Sequence, residues 1–262
     1  CNMRDQADAV RTGIADVSYI VTALHPGRFP MTSIAELPML AETSTQASEA
    51  LNALQEKYLA HEYTDWKYFW NWVTDPYILL TTKKPVRTPE DMKGLKFRGV
   101  GSMAMTMKAL GAIPVSITGS EIYPGLQRGV IDGSPYTPYG AVGYKFYEVV
   151  KYATLVPVGH TAMIQIMNKD SWAKLSDEDK EIVTEAFHHW YEVNTRLYDE
   201  KRNEAIRIFK EKGVEIITPT PEEMARWKEA VQPVWDEWIR ARESEGLPGR
   251  AFFDEYTALL AK

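Results

Sequence analysis

Thr88-Pro89-Glu90-Asp91-Met92-Lys93-Gly94-Leu95-Lys96-Phe97-Arg98 is the stretch that decides the fold. A threonine followed by proline and two acids starts a helical turn, because the hydroxyl caps free N–H groups and proline suits the first position. The turn delivers a short apolar strand, Leu95–Phe97, which ends on a lone arginine. Gly99 and Gly101 follow, so backbone can approach closely there. Outward from this run come Leu110-Gly111-Ala112-Ile113-Pro114, then Ser120-Glu121-Ile122-Tyr123-Pro124-Gly125-Leu126-Gln127-Arg128-Gly129-Val130-Ile131-Asp132-Gly133, then Lys145-Phe146-Tyr147-Glu148-Val149. Positions 102–110 and 120–128 read as helices, each closed by a glycine in the C-terminal cap position.

The same alternation continues on both sides. Asp5–Thr12 reads as a helix stopped by Gly13, and Ile14–Ile20 as a strand. Ala41–Ala60 reads as one amphipathic helix, with Ala47, Ala50, Leu51, Leu54, Tyr58 and Leu59 at helical spacing. Asp65–Thr82 is aromatic-rich and reads as extended, and 153–158 and 162–167 as strands. Ser176-Asp177-Glu178-Asp179 opens a long helix to about Lys212 that carries Ile182, Ala186, Trp190, Val193 and Leu197 on one face. A short strand at 213–217 and a helix capped by Thr220-Pro221-Glu222-Glu223 follow. Strands alternating with helices favour an α/β fold.

The 262 residues, 45% of them hydrophobic, can bury a sizeable core. A formal net charge of −6 argues against nucleic acid as a partner, which needs a basic face. No apolar run approaches the ~20 residues that span a bilayer. The single cysteine, Cys1, has no disulfide partner, and Cys1-Asn2-Met3-Arg4 lacks an initiator Met, as a processed or truncated start would.

Few residues suggest chemistry. Gly99-Val100-Gly101 lacks the third glycine or the Gly-Lys-Ser/Thr of a nucleotide loop. His188 and His189 point about 100° apart on a helix, which is poor spacing for a metal, and a solvated face explains them better. No serine or cysteine has a recognisable activating partner, so we expect no catalytic residue, no metal and no cofactor. Arg98 could hold a carboxylate through its fork, although spacing alone favours a surface arginine leaving a strand. Tyr136 and Tyr139 lie in a turn-rich loop, Ser134-Pro135-Tyr136-Thr137-Pro138-Tyr139-Gly140, where they could wall a pocket or anchor the loop. The aromatic run Trp66-Lys67-Tyr68-Phe69-Trp70-Asn71-Trp72 reads as a strand packed on both faces.

Taken in order and spacing, these motifs resemble the solute-binding receptors of TRAP transporters, secreted bacterial proteins that hand small organic acids to a membrane permease. The similarity runs from about Asp8 to Trp238, and includes Ala9–Val17 and Pro26-Gly27-Arg28-Phe29-Pro30 with Glu36-Leu37-Pro38. It implies a two-lobed periplasmic binding protein fold with an interlobe ligand cleft and several hinge crossings. Lobe I is expected at 1–75 plus 164–203, and lobe II at 76–163 plus 204–262. Members of the family usually carry a further strand–helix–strand before this point, which adds to the expectation that the chain begins inside a longer protein.

The resemblance also assigns a site. In these receptors the arginine at the place of Arg98 holds the ligand's carboxylate, which reverses the reading from spacing. Many acid-binding relatives carry a second arginine where Ile78 stands, and an asparagine where Tyr136 stands. Sialic-acid-type receptors carry polar residues near Val21 and Leu24 and an aromatic near Gly119. A buried hydroxyl without a partner would cost ~1–3 kcal/mol, so this pocket is expected to suit a carboxylate with an apolar or aromatic body. Tyr77, Trp72 and Tyr139 complete the expected lining. The resemblance thus implies a periplasmic, monomeric receptor that closes on its ligand and docks on TRAP permease subunits. The rivals are a ligand-sensing extracytoplasmic domain and an enzyme acting on a small acid.

Overall fold

The computed structural model describes residues 3–261. Cys1 and Asn2, which bear on the disulfide and the processed start, lie outside them. α1 (Gln6–Arg11) leads into β1 (Val17–Val21), and α2 (Ser44–Ala53) precedes β2 (Lys67–Val73) and β3 (Ile78–Thr81). Then β4 (Lys96–Arg98), α3 (Ser102–Ala109), β5 (Ile113–Val115), α4 (Ile122–Arg128), β6 (Gly133–Tyr136), α5 (Pro138–Gly143) and β7 (Tyr152–Thr154) alternate. The chain ends with β8 (Ala162–Met167), α6 (Lys169–Lys174), α7 (Asp177–Glu211), β9 (Glu215–Ile217), α8 (Pro221–Ser244) and α9 (Gly249–Leu260).

Among the described residues the strands form two sheets. The first, in order β1-β8-β2, is antiparallel. The second, in order β5-β4-β6-β3-β7-β9, is mixed, with β4 parallel to both β5 and β6. The opening turn at 88–92 forms as its sequence dictates: Thr88 and Asp91 make a reciprocal capping box, with Pro89 in the first position. Asp132 then locks β4 in place, its carboxylate accepting the Lys96 N–H at 2.8 Å while its own N–H donates to the Lys96 carbonyl at 2.7 Å. Gly133 follows because nothing larger has room: a Cβ there would lie 2.5 Å from both the Leu80 carbonyl oxygen and the Phe97 ring.

Two crossings join the sheets side by side. Residues 74–77 run from β2 to β3, and residues 155–161 from β7 to β8. They are zipped together by Thr74 N–H to Thr161 O at 3.0 Å, Tyr77 N–H to Gly159 O at 2.8 Å and Val158 N–H to Tyr77 O at 2.9 Å. His160 pins them further, with its ring nitrogens 2.8 Å from the Thr74 carbonyl and 3.1 Å from that of Ala41. Gly159 has φ +136, and a Cβ would meet the Glu36 carbonyl at 2.7 Å, so the close approach there needs glycine. α7 makes a third crossing; it packs against α2 and β2 at one end and β9 at the other. The tail touches both halves, α8 lying on α3 and α9 on α2.

Three elements differ from their sequence patterns. The helix expected over 41–60 is α only from Ser44 to Ala53, and then widens into a π turn at 55–59 and a 3-10 turn at 60–63. Tertiary contacts pull it out of register: Tyr58 stacks on Phe252 at 4.7 Å, and the buried Glu62 accepts the N–H groups of Met31 and Thr32. The strand expected over 153–158 ends at Thr154, and its remainder is the second crossing. On α7, Ile182, Ala186, Trp190, Val193 and Leu197 are all exposed, Ile182 to 57%. The residues that α7 buries are Tyr191, Thr195, Ala205 and Phe209.

Candidate functional site

The first sheet's end, the two crossings and the C-terminal ends of β4 and β6 meet at one place. β4 carries Arg98 there, half-buried, with its Nε out of solvent and bonded to nothing. Gly99 N–H donates to Val115 O at 3.0 Å, which fixes the backbone beside it. Open sheets with parallel strands bind ligands at such strand ends.

Tyr77 and Tyr136 lie within reach of the Arg98 charge. Their rings are near-parallel, 6.0 Å apart with 11° between planes. Tyr136 also meets Phe146 edge-on at 5.1 Å and Tyr144 at 5.9 Å. The Tyr77 hydroxyl is 2.9 Å from Thr161 Oγ1. Burial raises the pKa of both phenols, and the Arg98 guanidinium opposes the rise in each. The arginine's charge therefore falls on both rings.

Two buried acids stand nearby. Glu36 bridges the halves: Thr22 Oγ1 donates to it at 2.9 Å from the end of β1, and Ser102 Oγ at 2.8 Å from the start of α3. Burial pushes its pKa up. Asp75, on the first crossing, is fully buried, and neither carboxylate oxygen has a hydrogen-bond partner. Burial raises its pKa to about 7, against the pull of the Tyr139 N–H and of Arg202. Both acids act on the Tyr77 hydroxyl, as Arg98 does.

A second aromatic group adjoins the first. Trp72 stacks on Tyr198 at 5.8 Å and meets Tyr19 at 6.0 Å and Trp190 at 5.2 Å. Tyr139 stands edge-on to Tyr198 at 6.3 Å. Burial, then Asp75, Tyr77 and Tyr139, raise the pKa of Tyr198, which links the two groups.

The structure thus brings Arg98, Tyr77 and Tyr136 together, and sets Trp72 and Tyr139 beside them through Tyr198. Val21 and Leu24 flank Thr22, the Glu36 donor, Val21 buried and Leu24 half-buried. Ile78 pairs with Tyr136 in the β3–β6 ladder, but its side chain is buried in the core with Leu80, Leu126 and Phe146. Gly119 is exposed in the capping turn before α4, with open space around it. Asp75, Thr161 and Tyr198 were not singled out from the sequence, and Glu36 was read there only as part of the Glu36-Leu37-Pro38 motif. Asp75 left a faint signal there: an acid and a proline just after an apolar strand.

A model of bacterial extracellular solute-binding protein family 7 matches residues 1–241. The C4-dicarboxylate-binding periplasmic protein DctP of Rhodobacter capsulatus is 31% identical over 172 residues, 64% of this chain and 51% of that protein. The chain spans about half the length of the first curated relatives it matches. A TRAP periplasmic solute-binding protein from Bordetella bronchiseptica, solved with bound (R)- and (S)-mandelate, superposes with a TM-score of 0.87 at 29% identity, covering 100% of this chain and 85% of that one. A marine metagenome TRAP solute-binding protein specific for aromatic acids, solved with 3-hydroxybenzoate, superposes at 0.90 with 25% identity, covering 100% and 83%. The α/β architecture described above is that of these receptors.

Proposed function

Since the chain belongs to bacterial extracellular solute-binding protein family 7, we propose that it is a periplasmic receptor which binds a small organic acid and delivers it to a TRAP-type membrane permease. The ligand is a monocarboxylate with an apolar or aromatic body. One observation supports this most: a half-buried arginine with an unpartnered Nε, whose charge reaches two near-parallel tyrosine rings. A guanidinium fork matches a carboxylate, and the rings suit an apolar body. Mandelate and 3-hydroxybenzoate, each bound by one of the structural neighbours, have this chemistry.

The receptor works as a monomer and carries out no reaction. Lobe I is 1–75 plus 164–203, and lobe II is 76–163 plus 204–262, with Arg98 and Tyr136 on lobe II and Trp72 and Val21 on lobe I. The zipped crossings at 74–77 and 155–161 serve as hinges, closing the lobes on the ligand. Among the described residues no helix is long and apolar enough to cross a membrane, in keeping with a protein that docks on a permease.

The test is a thermal-shift screen against organic acids, including aromatic and branched monocarboxylates, a sugar acid and a C4-dicarboxylate. A ligand at a hundredfold excess over its Kd stabilises the folded state by about 2.7 kcal/mol. A shift with aromatic monocarboxylates is expected, and silence across the library would reject the receptor reading.

A further inference from the structure

Asp75 is an acid without a partner at the point where the hinge meets the cleft. It is fully buried, and both its oxygens lack a hydrogen bond. A carboxylate offers about four lone-pair sites, and proteins rarely bury one with all of them idle. Among the described residues no side chain answers it. The Tyr139 N–H from α5 and the Arg202 guanidinium from α7 both draw its pKa down, and Asp199 from α7 pushes it up, but no side-chain donor bonds to either oxygen. Arg202 is itself left with an unpartnered buried Nε.

Its surroundings are those of a ligand wall. Tyr77 follows it by two residues, and its hydroxyl feels the charges of both Asp75 and Arg98, so the acid and the guanidinium both lie near that ring. Tyr198 feels both Asp75 and Tyr77 and stands edge-on to Tyr139, which is 45% exposed. An acid held on its carboxylate by Arg98 would lay its body beside Asp75.

We propose that Asp75 is a specificity-determining residue: it accepts a hydrogen bond from a hydroxyl or amino group on the apolar body of the ligand. This rests on the carboxylate reading above. A site built to bond a ligand donor rejects the analogue that lacks it, because its own polar group is then stranded. Asp75 so selects a substituted acid over the bare one, and Arg98 supplies the carboxylate contact common to both.

The probes are benzoate, the three hydroxybenzoates and the three aminobenzoates, titrated calorimetrically into wild type, Asp75→Asn and Asp75→Leu. Wild type is expected to bind at least one substituted acid about tenfold or more tightly than benzoate. Asp75→Leu abolishes that preference, and Asp75→Asn, whose amide oxygen still accepts, falls between. Wild type also releases protons near pH 7 on binding the preferred acid, seen by comparing two buffers of different ionisation enthalpy, because a donor stabilises the ionised Asp75. The leucine variant does not. If Asp75→Leu fails to fold, the asparagine variant's reduced preference and lost proton release carry the test. Absence of any preference in wild type, or the same preference in the variants, overturns the proposal while leaving the carboxylate reading standing. Failure of wild type to bind any of these acids removes both.

Discussion

Tyr77 and Tyr136 face each other with 6.0 Å between ring centroids and 11° between planes, one on the first hinge crossing and the other at the end of β6. That pair joins the first crossing to the second sheet. Aromatic pairs contribute about 0.5–1.5 kcal/mol beyond the area they bury. Tyr136→Ala is therefore expected to weaken an aromatic monocarboxylate about three- to tenfold, and to weaken an aliphatic one of similar size less. Paired titrations with benzoate and a branched aliphatic acid measure the difference. Equal loss for both would remove Tyr136 from contact with the ligand body.

Asp75 makes stability depend on pH in an unusual direction. Burial raises its pKa from 3.8 to about 7. The folded chain therefore holds a proton that the unfolded chain has released, and stability falls as pH rises through the window from about 4 to about 7. At one pKa unit per 1.36 kcal/mol, the penalty reaches as much as about 4 kcal/mol above pH 7. Without ligand, Asp75→Asn is expected to be more stable than wild type at pH 8 and to lose that advantage at pH 4.5. Urea denaturation at the two values decides it, and a difference independent of pH would contradict this account.

Gly133 is a packing requirement. A methyl group there would sit 2.5 Å from the Leu80 carbonyl and from the Phe97 ring, both fixed in the sheet. Overpacking of this kind costs about 1–3 kcal/mol, occasionally more. Gly133→Ala is expected to lower the unfolding free energy by that amount, read as a lower denaturation midpoint, and to disturb Arg98, one residue beyond Phe97. A midpoint unchanged from wild type would mean that β4 and β6 yield more easily than their contacts imply.

The sequence made β4 and its arginine legible because the signals are local: a capping box, a short apolar strand and a glycine pair. Asp132-Gly133 was legible as a motif, but its reason is tertiary, since only the assembled sheet reveals the Lys96 bonds and the Phe97 ring. Helical spacing over 41–60 misled for the opposite reason. Its C-terminal half is shaped by Phe252 and by the Met31–Thr32 backbone, which lie far off in sequence. On α7, periodicity grouped Ile182, Trp190 and Leu197 correctly on one face, yet spacing cannot tell a covered face from a bare one. Asp75 was passed over because a single acid near a proline looks like any loop residue until its burial is known. Tyr198 was hidden in a long polar helix.

On the proposed reading, Arg98 holds the carboxylate of a small acid with an apolar or aromatic body. Calorimetric titration of aromatic monocarboxylates into wild type and Arg98→Ala tests it most directly, with a sugar acid and a C4-dicarboxylate as competitors. The account predicts saturable one-to-one binding by wild type, and weaker competition from both polar acids. It predicts a loss of about 2–5 kcal/mol in Arg98→Ala, with the ligand-free melting curve unchanged. Arg98→Lys keeps the charge but loses the fork and is expected to recover only part of the affinity. Undiminished affinity in Arg98→Ala, or tighter binding of either polar acid, would contradict it.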